Sequence, residues 1–127
     1  MREAAAKKGD QVLAVDTHLV LVGSSVVPLP FLFSGVIDRD LSANVNIMSQ
    51  PAAVFGSGAY NHIEHRAPPG QSFQNPPTNL ARIVAGSATV NINGVPAARN
   101  GDVAATCNDP NPLPIGTVAA LGTVFIG

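Results

Sequence analysis

Between Ser87 and Cys107 apolar and polar positions alternate. Thr89-Val90-Asn91-Ile92-Asn93 interleaves β-branched apolar residues with polar ones, the period-2 signature of a half-buried strand. Asn93-Gly94 supplies the positive-φ residues of a tight hairpin turn. Val95 to Arg99 reads as the return strand, with Pro96 at its start or on an open edge. A second turn, Asn100-Gly101-Asp102, follows, and the segment closes on Cys107, the one cysteine of the chain. The pattern predicts a compact hairpin ending in a potential metal ligand.

The pattern recurs. Shifted back by 45 positions, Ser42 to His62 matches Ser87 to Cys107 at ten of 21 ungapped positions and sets His62 opposite Cys107. Thr123 to Gly127 resembles the first half of a third copy, cut off at its turn. Internal repeats report on architecture before any single motif does, and copies that end in a His and a Cys point to one metal between related strands. The first copy carries Met48-Ser49-Gln50 in place of Asn-Gly, which predicts a different turn type. Val54 stands where the second copy has Arg99, so that arginine is not a repeated catalytic group.

Elsewhere Gln11 to Val22 and Leu80 to Ala85 read as strands, as do Thr117 to Ala120 and Thr123 to Ile126. Leu19 to Ile37 is the longest stretch without charge, and a membrane-inserted protein built on it is one alternative. Pro28 and Pro30 break its centre, however, so it reads as an extended crossover with Phe31 and Phe33 packed inward or against a partner. Residues 68–79 form a Pro/Gly/Gln/Asn-rich loop anchored by Phe73, and Asn108 to Pro114 a rigid turn. Met1 to Lys8 is helix-forming but too short to hold a helix alone, which predicts a frayed N-terminal arm. It lacks an apolar core beside its charges and is a poor signal peptide, so synthesis in the cytoplasm is expected.

Composition narrows the class. The 127 residues make one domain, and eleven prolines with twelve glycines favour short turns over long helices. A net charge of −1 with 12% charged residues offers no footprint for nucleic acid. The 46% hydrophobic content is high for so small a soluble chain, and some apolar surface is expected to meet a partner. One cysteine excludes an intrachain disulfide, so a metal is the available staple.

The sequence resembles the PAAR-repeat family through Pro96-Ala97-Ala98-Arg99 within INGVPAARNGD, the strand before it, Gly101-Asp102 after it and the degenerate first copy. The resemblance runs from Gly9-Asp10 to the end of the chain. It implies an all-β fold, a small cone of short hairpins with pseudo-threefold symmetry and a zinc near the apex. The broad base of such a cone caps a trimeric spike of the VgrG type in contractile injection machines, one tip per trimer.

For the ligands, structural zinc takes four N/S donors, and His18, His62, His65 and Cys107 are the one such set in the chain. The zinc site that the resemblance implies can be met by these positions, as a structural ion with no open position for water. Alone, His18 in an apolar run reads as a packed core residue, and His62 and His65 as a surface pair. His62-Ile63-Glu64-His65 lacks the spacing of a metalloprotease helix, and Pro68-Pro69 forbids one. The expected role is a non-enzymatic spike tip, assembled on a type VI or extracellular phage-tail-like particle, delivered outside the cell and in transient contact with a target membrane. The alternatives are an adaptor that links toxin cargo to the spike and a small zinc hydrolase with Glu64 as general base.

Overall fold

The computed structural model describes residues 2–127. Its strands in chain order are β1 (Glu3–Ala4), β2 (Gln11–Val22), β3 (Ser25–Arg39), β4 (Asn46–Ile47), β5 (Gln50–Pro51), β6 (Gly58–Tyr60), β7 (Ser72–Phe73), β8 (Leu80–Ile83), β9 (Asn91–Ile92), β10 (Val95–Pro96), β11 (Val103–Thr106), β12 (Leu113–Ala119) and β13 (Phe125–Ile126). Among the described residues there is no helix, and so none long and apolar enough to cross a membrane. Strands β2, β3, β6, β8, β11 and β12 pair in that order, and β12 returns to β2 to close a six-stranded barrel. Closure removes sheet edges from the body of the molecule. Its interior holds Val12, Phe33, Ile37, Ile83, Ala104 and Val118.

Below the barrel, three short hairpins surround an axis. They are β4–β5, β9–β10 and β13–β1. Each return strand runs into one of three matching segments, Ala4-Ala5-Ala6-Lys7, Pro51-Ala52-Ala53-Val54 and Pro96-Ala97-Ala98-Arg99. At the axis these segments bond in a ring: the Ala6 N–H donates to Ala98 (2.9 Å), Ala98 to Ala53 (3.1 Å) and Ala53 to Ala6 (3.0 Å). All three alanines are fully buried, because three backbones this close leave room for a methyl group and no more. A second layer, Ala5, Ala52 and Ala97, packs on Ile47, Ile92 and Ile126 of the hairpins.

The threefold pattern continues outward. Gly9, Gly56 and Gly101 adopt φ of 95°, 96° and 88°, and their N–H groups donate to Ile37, Ile83 and Val118 of the barrel. Asp10, Ser57 and Asp102 each bond back to the N–H three residues earlier. The hairpin ends also link in a cycle: Asn93 to Ser42 and Asn44, Met48 to Thr123, and the Gly127 carbonyl to Ser87.

Four sequence expectations change. Met1 lies outside the described residues, but the rest of the expected frayed arm is fixed: Glu3–Ala4 pair with β13, and Ala5 and Ala6 are core. This segment supplies the half that the third copy lacks. Leu19 to Ile37 is no crossover; β2 and β3 pair continuously from Gln11↔Val36 to Val22↔Ser25. The predicted difference in turn type is absent, since Met48-Ser49 (φ 50°, 68°) and Asn93-Gly94 (φ 53°, 82°) make the same two-residue turn. Strand β12 also begins earlier than expected, at Leu113.

Candidate metal centre

Strand alternation points Val12, Asp16, His18 and Val20 to the interior, where all four are buried. His65 follows β6 on an irregular segment. The Asn79 Oδ1 accepts both the His65 backbone N–H (2.9 Å) and the Asn61 amide (3.3 Å), a buried arrangement that turns the chain inward. Cys107 comes at the end of β11, where pairing with β12 shifts register between Ala104 and Thr106. That irregularity lets Thr106, Cys107 and Asn108 all lie buried although they are consecutive.

Asp16, His18, His65 and Cys107 each present one donor atom, and these four atoms lie within 4.8 Å of one another. Asp16 is the hub. Its Oδ2 is 2.8 Å from His65 Nε2 and accepts from the Cys107 thiol at 3.5 Å, while Oδ1 accepts from Thr106 and from Asn108 (3.4 Å). Phe31 and Phe73 pack edge-to-face against the His18 ring, so Phe73 does anchor its loop.

The buried donors fit a cation. Both ring nitrogens of His18 are buried without a hydrogen-bond partner. Nδ1 is 3.5 Å from Asp109 Oδ2, close enough for attraction but too poorly directed for a bond. An orphaned buried polar group costs roughly 1–3 kcal/mol, which coordination would relieve. Burial, and next to it His65, pushes the His18 pKa below its ordinary 6.5, against the opposing pull of Asp109 and Asp16. The ring is therefore neutral and free to ligate. Burial, followed by the Asp16 charge, raises the Cys107 thiol from 9.0 to about 11. Without a cation the sulfur keeps its proton; a bound metal would make it a thiolate and release that proton. The group can hold a metal ion.

Of the four residues expected to meet, the structure assembles His18, His65 and Cys107 and leaves His62 outside. The His62 side chain is 59% exposed, with Nε2 3.3 Å from Asp38 Oδ2 on the outer wall. Alternation explains this. Ala59 and Asn61 point inward, so Tyr60 and His62 point out, although ungapped alignment sets His62 against Cys107. Asp16 joins the cluster instead, and its signal was its position two residues before His18 on the same strand face. Glu64, the base of the hydrolase alternative, is exposed and accepts the Tyr60 hydroxyl, away from the cluster. A pocket of about 160 Å³ between Asn75–Thr78 and Asn108–Pro112 reaches His18 and Cys107.

A family model described as the PAAR motif matches residues 3–110 of the chain. Neither the curated proteins nor the solved structures contain a match.

Proposed function

The chain belongs to the PAAR-motif family, and from that premise we propose that it caps and sharpens a trimeric VgrG-type spike, one tip per trimer. The family carries a spike-tip-type role in contractile injection systems and is structural in kind. The observation that supports the finer reading is the hydrogen-bonded ring of Ala6, Ala53 and Ala98 with its three equivalent hairpins. A single chain with threefold geometry is what a three-chain partner needs in order to be met equally by all its subunits. The hairpin end also leaves Met48, Val124 and Phe125 partly exposed, apolar groups that a spike would cover.

The ion in this reading is one structural zinc held by His18, His65 and Cys107, with Asp16 as the fourth donor. Zinc accepts imidazole, thiolate and carboxylate together, whereas magnesium and calcium prefer oxygen alone. Bound there, it would tie β2, the segment after β6 and the end of β11 into one rigid end. Four protein donors leave no place for substrate, which supports a non-enzymatic part. The protein is made in the cytoplasm, assembled on the injection particle and carried out with it to help breach a target membrane.

Co-purification with candidate trimeric spike proteins tests this. A complex of one chain to three spike subunits, abolished by Phe125→Asp, is expected. Failure to bind any trimeric spike, or binding in a one-to-one ratio, overturns it.

A further inference from the structure

From Gln11 to Ile37 the only ionisable residues are Asp16 and His18, and both are buried inward. The outward face of the β2–β3 hairpin therefore carries no charge over its whole length. Cross-strand partners on that face are Val15 opposite Leu32, Leu19 opposite Pro28 and Leu21 opposite Val26. Val15 is 58% exposed and Leu32 73%, large values for paired apolar side chains. Thr17, opposite Pro30, is the one polar side chain among them, and the rest form an apolar strip of the kind that marks an interaction surface.

We propose that this strip seats in a lipid bilayer, its side chains against the acyl chains and its strand edge at the headgroup level. The inference rests on the spike-tip reading for its setting and on the hairpin for its chemistry. Three observations favour lipid over a protein partner. A strand-adding partner finds only a poor edge. The Thr17 and Leu19 backbone groups on one side of β2 are taken by Asn108, Asp109 and Gln74. On the free side of β3, Pro28 and Pro30 stand at the positions whose N–H would face outward, the same parity as Ser34, whose N–H bonds Asn61. A face-on protein partner would find no charge and almost no side-chain polar group to fix its orientation, whereas protein interfaces carry a polar rim and several hydrogen bonds. Finally, from Val15 to the Gly23-Ser24 turn the strip spans about eight residues, or roughly 25 Å, a length over which its side chains can lie along the bilayer surface.

The chain has no tryptophan, so one introduced side chain reports on its own surroundings. Leu32→Trp in the full chain is mixed with phosphatidylcholine vesicles whose acyl chains are brominated; Leu121→Trp, at another highly exposed position, is the control. The expected result is a blue shift and at least twofold quenching for Leu32→Trp and neither for Leu121→Trp. Binding should be indifferent to salt and to added anionic lipid, because the strip has no charge. Val15→Asp with Leu32→Asp should lower partition at least tenfold; Val15→Thr with Leu32→Thr gives a smaller loss if the aspartates impair folding. Equal or absent quenching in the two reporters overturns the proposal, as does wild-type partition in the double aspartate or threonine variant. Loss of spike binding in those variants would make the strip a protein interface, and self-association that buries it would make it a dimer face; either also overturns it. If Leu32→Trp is quenched while the wild type binds no trimeric spike, the spike-tip reading fails and the lipid face stands.

Discussion

Asp16 and His65, 49 positions apart in the chain, meet in the buried centre with Oδ2 and Nε2 2.8 Å apart. The contact ties an inward position of the long hairpin to the segment that follows the first repeat. Two imidazoles, a thiol and this carboxylate share one small space, and burial there pushes the His18 imidazole down and the Cys107 thiol up.

Asp16→Asn keeps the shape of the side chain and removes its charge. Metal affinity should fall about 10–100-fold, the usual effect of weakening a ligand or its immediate support. In metal-stripped protein the Cys107 thiol should become more acidic, since the Asp16 charge is one cause of its high pKa. Thiol modification rates measured against pH check both the direction and the cause.

Removing the metal by chelation, or Cys107→Ser, should lower stability by about 3 kcal/mol or more, roughly 10 °C in Tm for a chain of this size. Calorimetry before and after chelation, with zinc restored in a third scan, measures it. Chelation that leaves Tm unchanged contradicts a structural ion.

Metal-stripped protein should lose stability toward both acid and base. Folded His18 resists protonation below its ordinary 6.5, so below about pH 6.5 the unfolded chain binds more protons and stability falls. Folded Cys107 keeps its proton to about 11 while the unfolded thiol loses it near 9.0, so stability falls again above pH 9. His18→Gln should flatten the acid limb alone. Thermal melts across this range test the pair, and a Tm that rises on acidification would refute the assignment.

At the threefold axis, Ala53→Leu should destabilise by about 1–3 kcal/mol, because the ring of backbones around Ala6, Ala53 and Ala98 has no room for a larger side chain. Denaturant unfolding gives the value. The same substitution at exposed Ala43 should cost little.

Much of this architecture was legible because it repeats. Ser42 to His62 and Ser87 to Cys107 declared two hairpins, and the buried Ala-Ala pairs that follow Pro51 and Pro96 sit where the pattern put them. The third copy was concealed by its composition. Glu3 to Lys8 is rich in alanine, which favours helix in isolation, and only pairing with β13 and the axis ring overrides that preference. Three of the four residues expected to meet do come together. His62 stands apart from them, because alignment carries no information on which way a side chain points after a strand ends. Asp16 was passed over because an acidic residue in an apolar run gives no sign of its partners until the fold brings His65 and Cys107 to it.

The measurement that bears most directly on the buried pin is metal content in three proteins purified side by side: the wild type, His62→Ala and His65→Ala. The account predicts about one equivalent of zinc in the wild type and in His62→Ala, and well under one in His65→Ala. Retention in His65→Ala together with loss in His62→Ala would contradict it, as would a wild-type protein that holds no metal.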